Sequence, residues 1–89
     1  MIKVEVEIIN KLGLHARAAS KLVSSAAVYA CKIEAGRNGR LVDGKSIMSI
    51  MMLAASKGTV LELVFDGEDE QEARDAIIGL INNRFGEEE

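Results

Sequence analysis

With 89 residues, 48% of them hydrophobic and 28% charged, the chain has the length of one domain (residues 1–89) and the composition of a folded protein. A formal charge of -3 without a basic cluster, and only Tyr29, Phe65 and Phe85 as aromatic residues, exclude the grouped cations and stacking rings that nucleic-acid binding uses. His15 and Cys31 are the only residues of their kinds, which excludes an internal disulfide and leaves too few ligands for a cysteine- or histidine-based metal site.

Ile2, Val4, Val6 and Ile8 alternate with Lys3, Glu5 and Glu7, the period of a strand with one buried and one wet face. This opening lacks the unbroken apolar run of a signal peptide, and no window approaches the ~18 consecutive apolar residues of a membrane-spanning helix. Together with a lone cysteine, these features predict a cytoplasmic protein without membrane insertion. After Asn10-Lys11-Leu12-Gly13-Leu14 the apolar residues fall at Ala16, Ala19, Leu22, Val23 and Ala26, which predicts a helix of about three turns. Tyr29 to Ala35 puts Cys31, Ile33 and Ala35 on one face of a second strand. Asn38-Gly39 then signals a two-residue hairpin into Arg40-Leu41-Val42.

Ser46 is suited to cap a short methionine-rich helix over Ile47 to Ala55, stopped by glycine near Lys57-Gly58. Thr59 to Phe65 reads as a strand with Leu61, Leu63 and Phe65 inward. A last helix starts near Asp69, with acidic residues in its first turn and Ala73, Ala76, Ile77, Leu80 and Ile81 as its apolar stripe. The tail Gly86-Glu87-Glu88-Glu89 is expected to fray. The order predicts an α+β domain, one antiparallel sheet with its helices packed on a single face.

One constellation carries chemistry. In Gly13-Leu14-His15-Ala16-Arg17-Ala18 a histidine falls at the cap of the first helix, where glycine permits the turn. The backbone N–H groups of Ala16, Arg17 and Ala18 lack partners inside a helix and, with the helix dipole, favour an anion. Arg17 adds a planar, permanently charged donor fork suited to phosphate. Imidazole, with an ordinary pKa near 6.5, is substantially neutral and nucleophilic at cell pH. Spacing alone leaves the plainer alternative open, in which His15 and Arg17 are solvated surface residues. No Ser/His/Asp order, second histidine or glycine-rich phosphate loop competes.

Gly13-Leu14-His15-Ala16-Arg17, taken with Lys45-Ser46-Ile47-Met48, closely resembles the histidine-containing phosphocarrier (HPr) family of the bacterial phosphoenolpyruvate:sugar phosphotransferase system. The resemblance extends through Val6 to Asn10, the Asn38-Gly39 hairpin, Lys45 to Leu53, and Asp66-Gly67-Glu68-Asp69-Glu70. It implies an open-faced β-sandwich, a four-stranded antiparallel sheet with three helices on one face in the order βαββαβα. It also implies that Enzyme I delivers phosphate from phosphoenolpyruvate to Nδ1 of His15, that Arg17 is the phosphate partner, and that a IIA domain receives the group. Such a protein is a phosphoryl carrier within a chain of enzymes, needs no cofactor beyond the phosphoryl group it holds covalently, and is expected to be a monomer whose carrier surface stays open.

By the same resemblance Leu14, Ile47, Met48 and Met51 are docking residues, with adaptable methionine suited to several partners, whereas Met52 and Leu53 are expected in the core. Ser46 is either a regulatory phosphorylation site for an HPr kinase/phosphorylase or a plain helix cap. The alternative function is accordingly a regulatory protein-binding module controlled through Ser46. Ala18 replaces the proline of most relatives, which restores one N–H donor and removes some preorganisation. Ala18, Asn10-Lys11-Leu12-Gly13 and the Asn83-Arg84-Phe85-Gly86-Glu87 ending point to a proteobacterial or nitrogen-regulatory branch.

Overall fold

The alternating N-terminal residues form strand β1 (Ile2–Glu7), which pairs antiparallel with β4 (Val60–Asp66) in a computed structural model that describes all 89 residues. Strand β4 also pairs antiparallel with β2 (Lys32–Arg37), and β2 with β3 (Arg40–Asp43), giving the order β1-β4-β2-β3. Register turns the two-residue period into rows across the sheet. Ile2, Phe65 and Ile33 align on one row and Val4, Leu63 and Ala35 on the next, all facing the core. Lys3, Val64 and Glu34 occupy the opposite, wetter face. The β2–β3 turn has φ +55° at Asn38 and +79° at Gly39, the left-handed pair that a two-residue hairpin needs.

Helices α1 (Ala16–Ala27), α2 (Ile47–Met52) and α3 (Glu70–Asn82) complete the order βαββαβα and cover the sheet. Ala18, Ala19, Leu22 and Ala26 are the buried stripe of α1, and Ala73, Ile77 and Ile81 that of α3. They join Ile8, Ile33, Ile50, Leu61, Leu63 and Phe65 in a hydrophobic cluster of 19 buried residues. Each large side chain buried there contributes about 1.5–3 kcal/mol. Cys31 lies in the same cluster, its thiol pushed up by burial and by the neighbouring Asp69.

Three expectations need correction. Helix α2 ends at Met52, not Ala55, because Ala54 adopts φ +51° and the guanidinium of Arg37 donates to the carbonyls of Leu53 and Ala54 at 3.3 and 3.1 Å. Met52 is 73% exposed, since the buried side of so short a helix is taken by Ile50, with Leu53 buried just beyond its end. The C-terminal tail does not fray: a 3₁₀ turn over Arg84–Gly86 buries Phe85 and returns the chain to the β1–α1 loop.

Asp69, at the cap position of α3, uses its carboxylate elsewhere. It accepts the backbone N–H groups of Ala30 and Cys31 at 2.8 and 2.9 Å, stitching the connection between α1 and β2 to the start of α3. The Ala30 N–H first, and that of Cys31 with it, hold its carboxyl below the ordinary 3.8. A carboxyl whose folded pKa lies below its unfolded one stabilises the protein above the unfolded value and loses that contribution as pH falls through the folded one. Urea unfolding measured between about pH 2 and pH 7 should therefore show a flatter acid limb for Asp69→Asn than for wild type, the two curves converging at the acid end.

Gly13 fixes the loop that precedes α1. Its φ is +67°, and a Cβ there would lie 2.6 Å from the Ala55 carbonyl oxygen and 2.8 Å from the Ser56 Cα. Gly13→Ala should cost at least about 1–3 kcal/mol in urea unfolding, from the left-handed backbone alone, and shift the amide resonances of Leu14 and His15.

Candidate functional site

The turn leading to His15 is closed from both sides. The Gly13 N–H donates to the Asn10 carbonyl at 3.2 Å, and the Asn10 side-chain amide donates back to the Gly13 carbonyl at 2.8 Å. The Leu14 N–H then donates to the Ala55 carbonyl at 2.8 Å, tying the loop to the segment that follows α2. His15 leaves this turn extended, at φ -72° and ψ 176°, as the N-cap of α1. Its own carbonyl accepts the Ala19 N–H at 2.8 Å, so the free donors of the helix start are those of Ala16, Arg17 and Ala18. No side chain caps them. Arg17 stands in this first turn, exposed and without an ion pair or hydrogen bond of its own.

The ring of His15 is partly buried, its side chain 27% exposed, and its Nε2 meets Oε2 of Glu87. A carboxylate only accepts, so Nε2 carries a proton, and in the neutral ring Nδ1 then keeps the lone pair. The other oxygen of Glu87 accepts from the Asn10 amide at 3.0 Å. Asn10 is fully buried, and both of its side-chain hydrogen bonds run to acceptors, which fixes the orientation of its amide and leaves its oxygen without a protein partner. The His15 ring first and the Asn10 amide second hold the Glu87 carboxyl below its usual range. Glu87 is delivered by residues 84–89, which form a strap. Phe85 is its buried anchor, the Lys21 ammonium donates to the Phe85 carbonyl at 2.6 Å, and Lys11 pairs with Glu89 at 3.3 Å.

The other predicted residues divide. Ile47, Met48 and Met51 are exposed on α2 by 40%, 70% and 44%, and α2 packs against α1 and is followed by the segment bonded to Leu14, so this apolar face lies on the side of the His15 loop. Met52 extends it. Leu14 does not share this exposed face, where the resemblance places it as a docking residue: it is buried at 5% exposure, drawn in by its backbone bond to Ala55, and fills the core under the loop. Ser46 is the N-cap of α2, half-buried, its hydroxyl accepting the Ser49 N–H at 3.3 Å. Ala18 is fully buried at the third position of α1.

Sequence reasoning missed Leu12, Asn10 and Glu87. Leu12 is 67% exposed three residues before the histidine, and could have been noted as an apolar residue in a turn. Asn10 carries a local signal, three residues before a glycine. Glu87 carries none, because its contact spans 72 residues of chain and depends on the burial of Phe85.

A family model described as the PTS HPr component phosphorylation site matches residues 2–83, a span that contains His15 and stops short of the strap. Phosphocarrier protein HPr of Pseudomonas aeruginosa is 59% identical over the whole of both chains. Among solved structures, HPr-C-His of Thermoanaerobacter tengcongensis superposes with a TM-score of 0.96 at 44% identity, covering all of both chains. An HPr dimer from the same organism gives 0.79 at 44% identity, over 98% of this chain and 100% of that one. The chain belongs to the HPr family, the phosphocarriers of the phosphotransferase system.

Proposed function

We propose that the chain accepts a phosphoryl group from phosphorylated Enzyme I on Nδ1 of His15 and passes it to a IIA domain. The observation that carries this reading is the state of the ring: a histidine at a helix N-cap, its Nε2 taken up by Glu87, its Nδ1 free for the nucleophilic role. In the forward step the Nδ1 lone pair attacks phosphorus, the N–P bond forms as the donor's bond to phosphorus breaks, and the donor keeps that electron pair. The N–H groups of Ala16, Arg17 and Ala18 and the guanidinium of Arg17 receive the charge of the phosphoryl oxygens. Dipole stabilisation at an exposed helix start is worth about 0.3–1 kcal/mol, enough to steady the group without trapping it. A carrier must release what it binds, and an open cradle suits that better than a buried one.

The face of Ile47, Met48 and Met51, with Met52 beside it, is the surface on which donor and acceptor dock in turn. The carrier works as a monomer in the cytoplasm, with the phosphoryl group as its sole prosthetic cargo. An HPr kinase/phosphorylase acting on Ser46 would add a doubly charged group at the edge of this face and exchange the present serine cap for phosphate oxygens. A second reading, a regulatory module that binds partners through α2 and is governed by Ser46, draws on the exposure of that same apolar face.

Incubation with phosphoenolpyruvate and Enzyme I should give acid-labile, alkali-stable label on wild type and none on His15→Ala; label that survives in the variant would contradict the assignment. Arg17→Ala should slow labelling roughly ten- to a hundredfold, the loss expected for one hydrogen bond to a charged group of about 1.5–3 kcal/mol. Partner binding without any labelling of wild type would favour the regulatory module.

A further inference from the structure

The strap is an unusual piece of chain. Arg84 and Phe85 both have φ +54°, with Gly86 at +79°, so two residues that bear a Cβ sit in the left-handed region consecutively. Such residues cost of order 1–3 kcal/mol each and persist where surrounding contacts over-determine them. Here the contacts are the burial of Phe85 and the Lys21 bond to its carbonyl. Their combined effect is to place one carboxylate against one ring nitrogen. The fully buried Asn10 holds the second carboxylate oxygen and so sets the direction of the first.

We propose that Glu87 is a positioning residue for phosphoryl exchange at His15, its carboxylate holding the ring proton on Nε2 while the phosphoryl group joins and leaves Nδ1. This inference deepens the phosphocarrier reading and rests on it. A ring that bears phosphorus on Nδ1 exists in two forms, with Nε2 protonated and the ring cationic, or with Nε2 bare. From the protonated form the N–P bond breaks with its electron pair returning to Nδ1, and the ring departs as neutral imidazole, Nε2 still carrying its proton. From the bare form the leaving group is an imidazolate, which is far poorer. A carboxylate beside Nε2 attracts the proton of the first form and repels the lone pair of the second. Glu87 therefore widens the pH range over which the phosphoryl group can be passed on, with no proton gained or lost through the cycle.

The other charges on the elements that carry the site do not supply this function. Arg17 and Lys21 on α1 and Arg84 on the strap are cations and oppose a protonated ring, Glu89 is paired with Lys11, and Glu88 lines a cleft with Lys11, Lys57 and Arg84 and makes no bond to the ring. Residues Ile47–Met52 of α2 contain no titratable group. Glu87 is the acidic group in contact with the histidine.

The test uses the full chain phosphorylated chemically with phosphoramidate, so that it does not depend on Enzyme I, with loss of phosphate followed by phosphorus NMR as a function of pH. Glu87→Gln keeps an oxygen that accepts from Nε2–H but removes the charge. It should lower the midpoint of the pH–rate profile by roughly one unit, so that loss is up to about tenfold slower on the alkaline side, with little change on the acid side. Glu87→Asp should restore the wild-type profile in part. Nitrogen NMR of the unphosphorylated ring should show Glu87→Ala with a larger Nδ1–H population than wild type. Superimposable profiles, or a uniform slowing at every pH in Glu87→Gln, would overturn the proposal, since a strap that merely stabilises the fold moves melting temperature and not the profile. Failure of wild type to be labelled through Enzyme I would instead count against the phosphocarrier reading, and the two results are separable.

Discussion

Gly13 lies with its backbone directly on Ala55 and Ser56, and the geometry of the site follows from that close approach. The contact anchors the β1–α1 loop to the segment behind α2, and the neighbouring Leu14–Ala55 hydrogen bond sets where the loop ends. His15 is thereby held extended, one residue before α1 begins, with its Nε2 against Glu87 and α2 packed on α1 beside it. A side chain at position 13 would separate these elements by the width of a methyl group. His15, the start of α1 and the exposed face of α2 are thus positioned by backbone contacts, and Nδ1 of His15 and the side chain of Arg17 make no bond within the chain.

The electrostatics fit a group that must be held and then surrendered. The helix start and Arg17, in the residues that follow the histidine, offer positive potential to an anion, and Glu87 offers a negative charge at Nε2. Neither is deeply buried, so each contributes on the scale of surface interactions, where the balance between charged states of the ring shifts with modest changes in charge. Glu87 is the more constrained of the two, being fixed by Asn10 and by the anchored Phe85.

Much of this was legible in the residues. The alternation of β1 and β4, the Asn38-Gly39 turn and the stripes of α1 and α3 are local patterns, and the structure follows them in outline, with Ala18 buried in α1 in place of Ala16 and Val23, Ala76 and Leu80 only half-buried. His15 as an N-cap and Ser46 as an N-cap were legible for the same reason, since capping is decided within one turn. What escaped depended on distant contacts. The exposure of Met52 and the burial of Leu14 are exchanged relative to expectation because α2 stops at Met52, its end fixed by Arg37 from β2, and because Leu14 is drawn inward by its bond to Ala55. The strap escaped because a sequence of Gly, Glu and one Phe reads as a solvated tail, and only the pocket under Phe85 turns it back toward His15.

The claim on which the account stands is that phosphorus is carried on Nδ1 of His15. The most direct measurement is the phosphorus–nitrogen coupling in a nitrogen-labelled, phosphorylated sample. A single phosphohistidine resonance coupled to Nδ1 is the result expected, and coupling to Nε2 would contradict the account, because that atom is the one Glu87 holds.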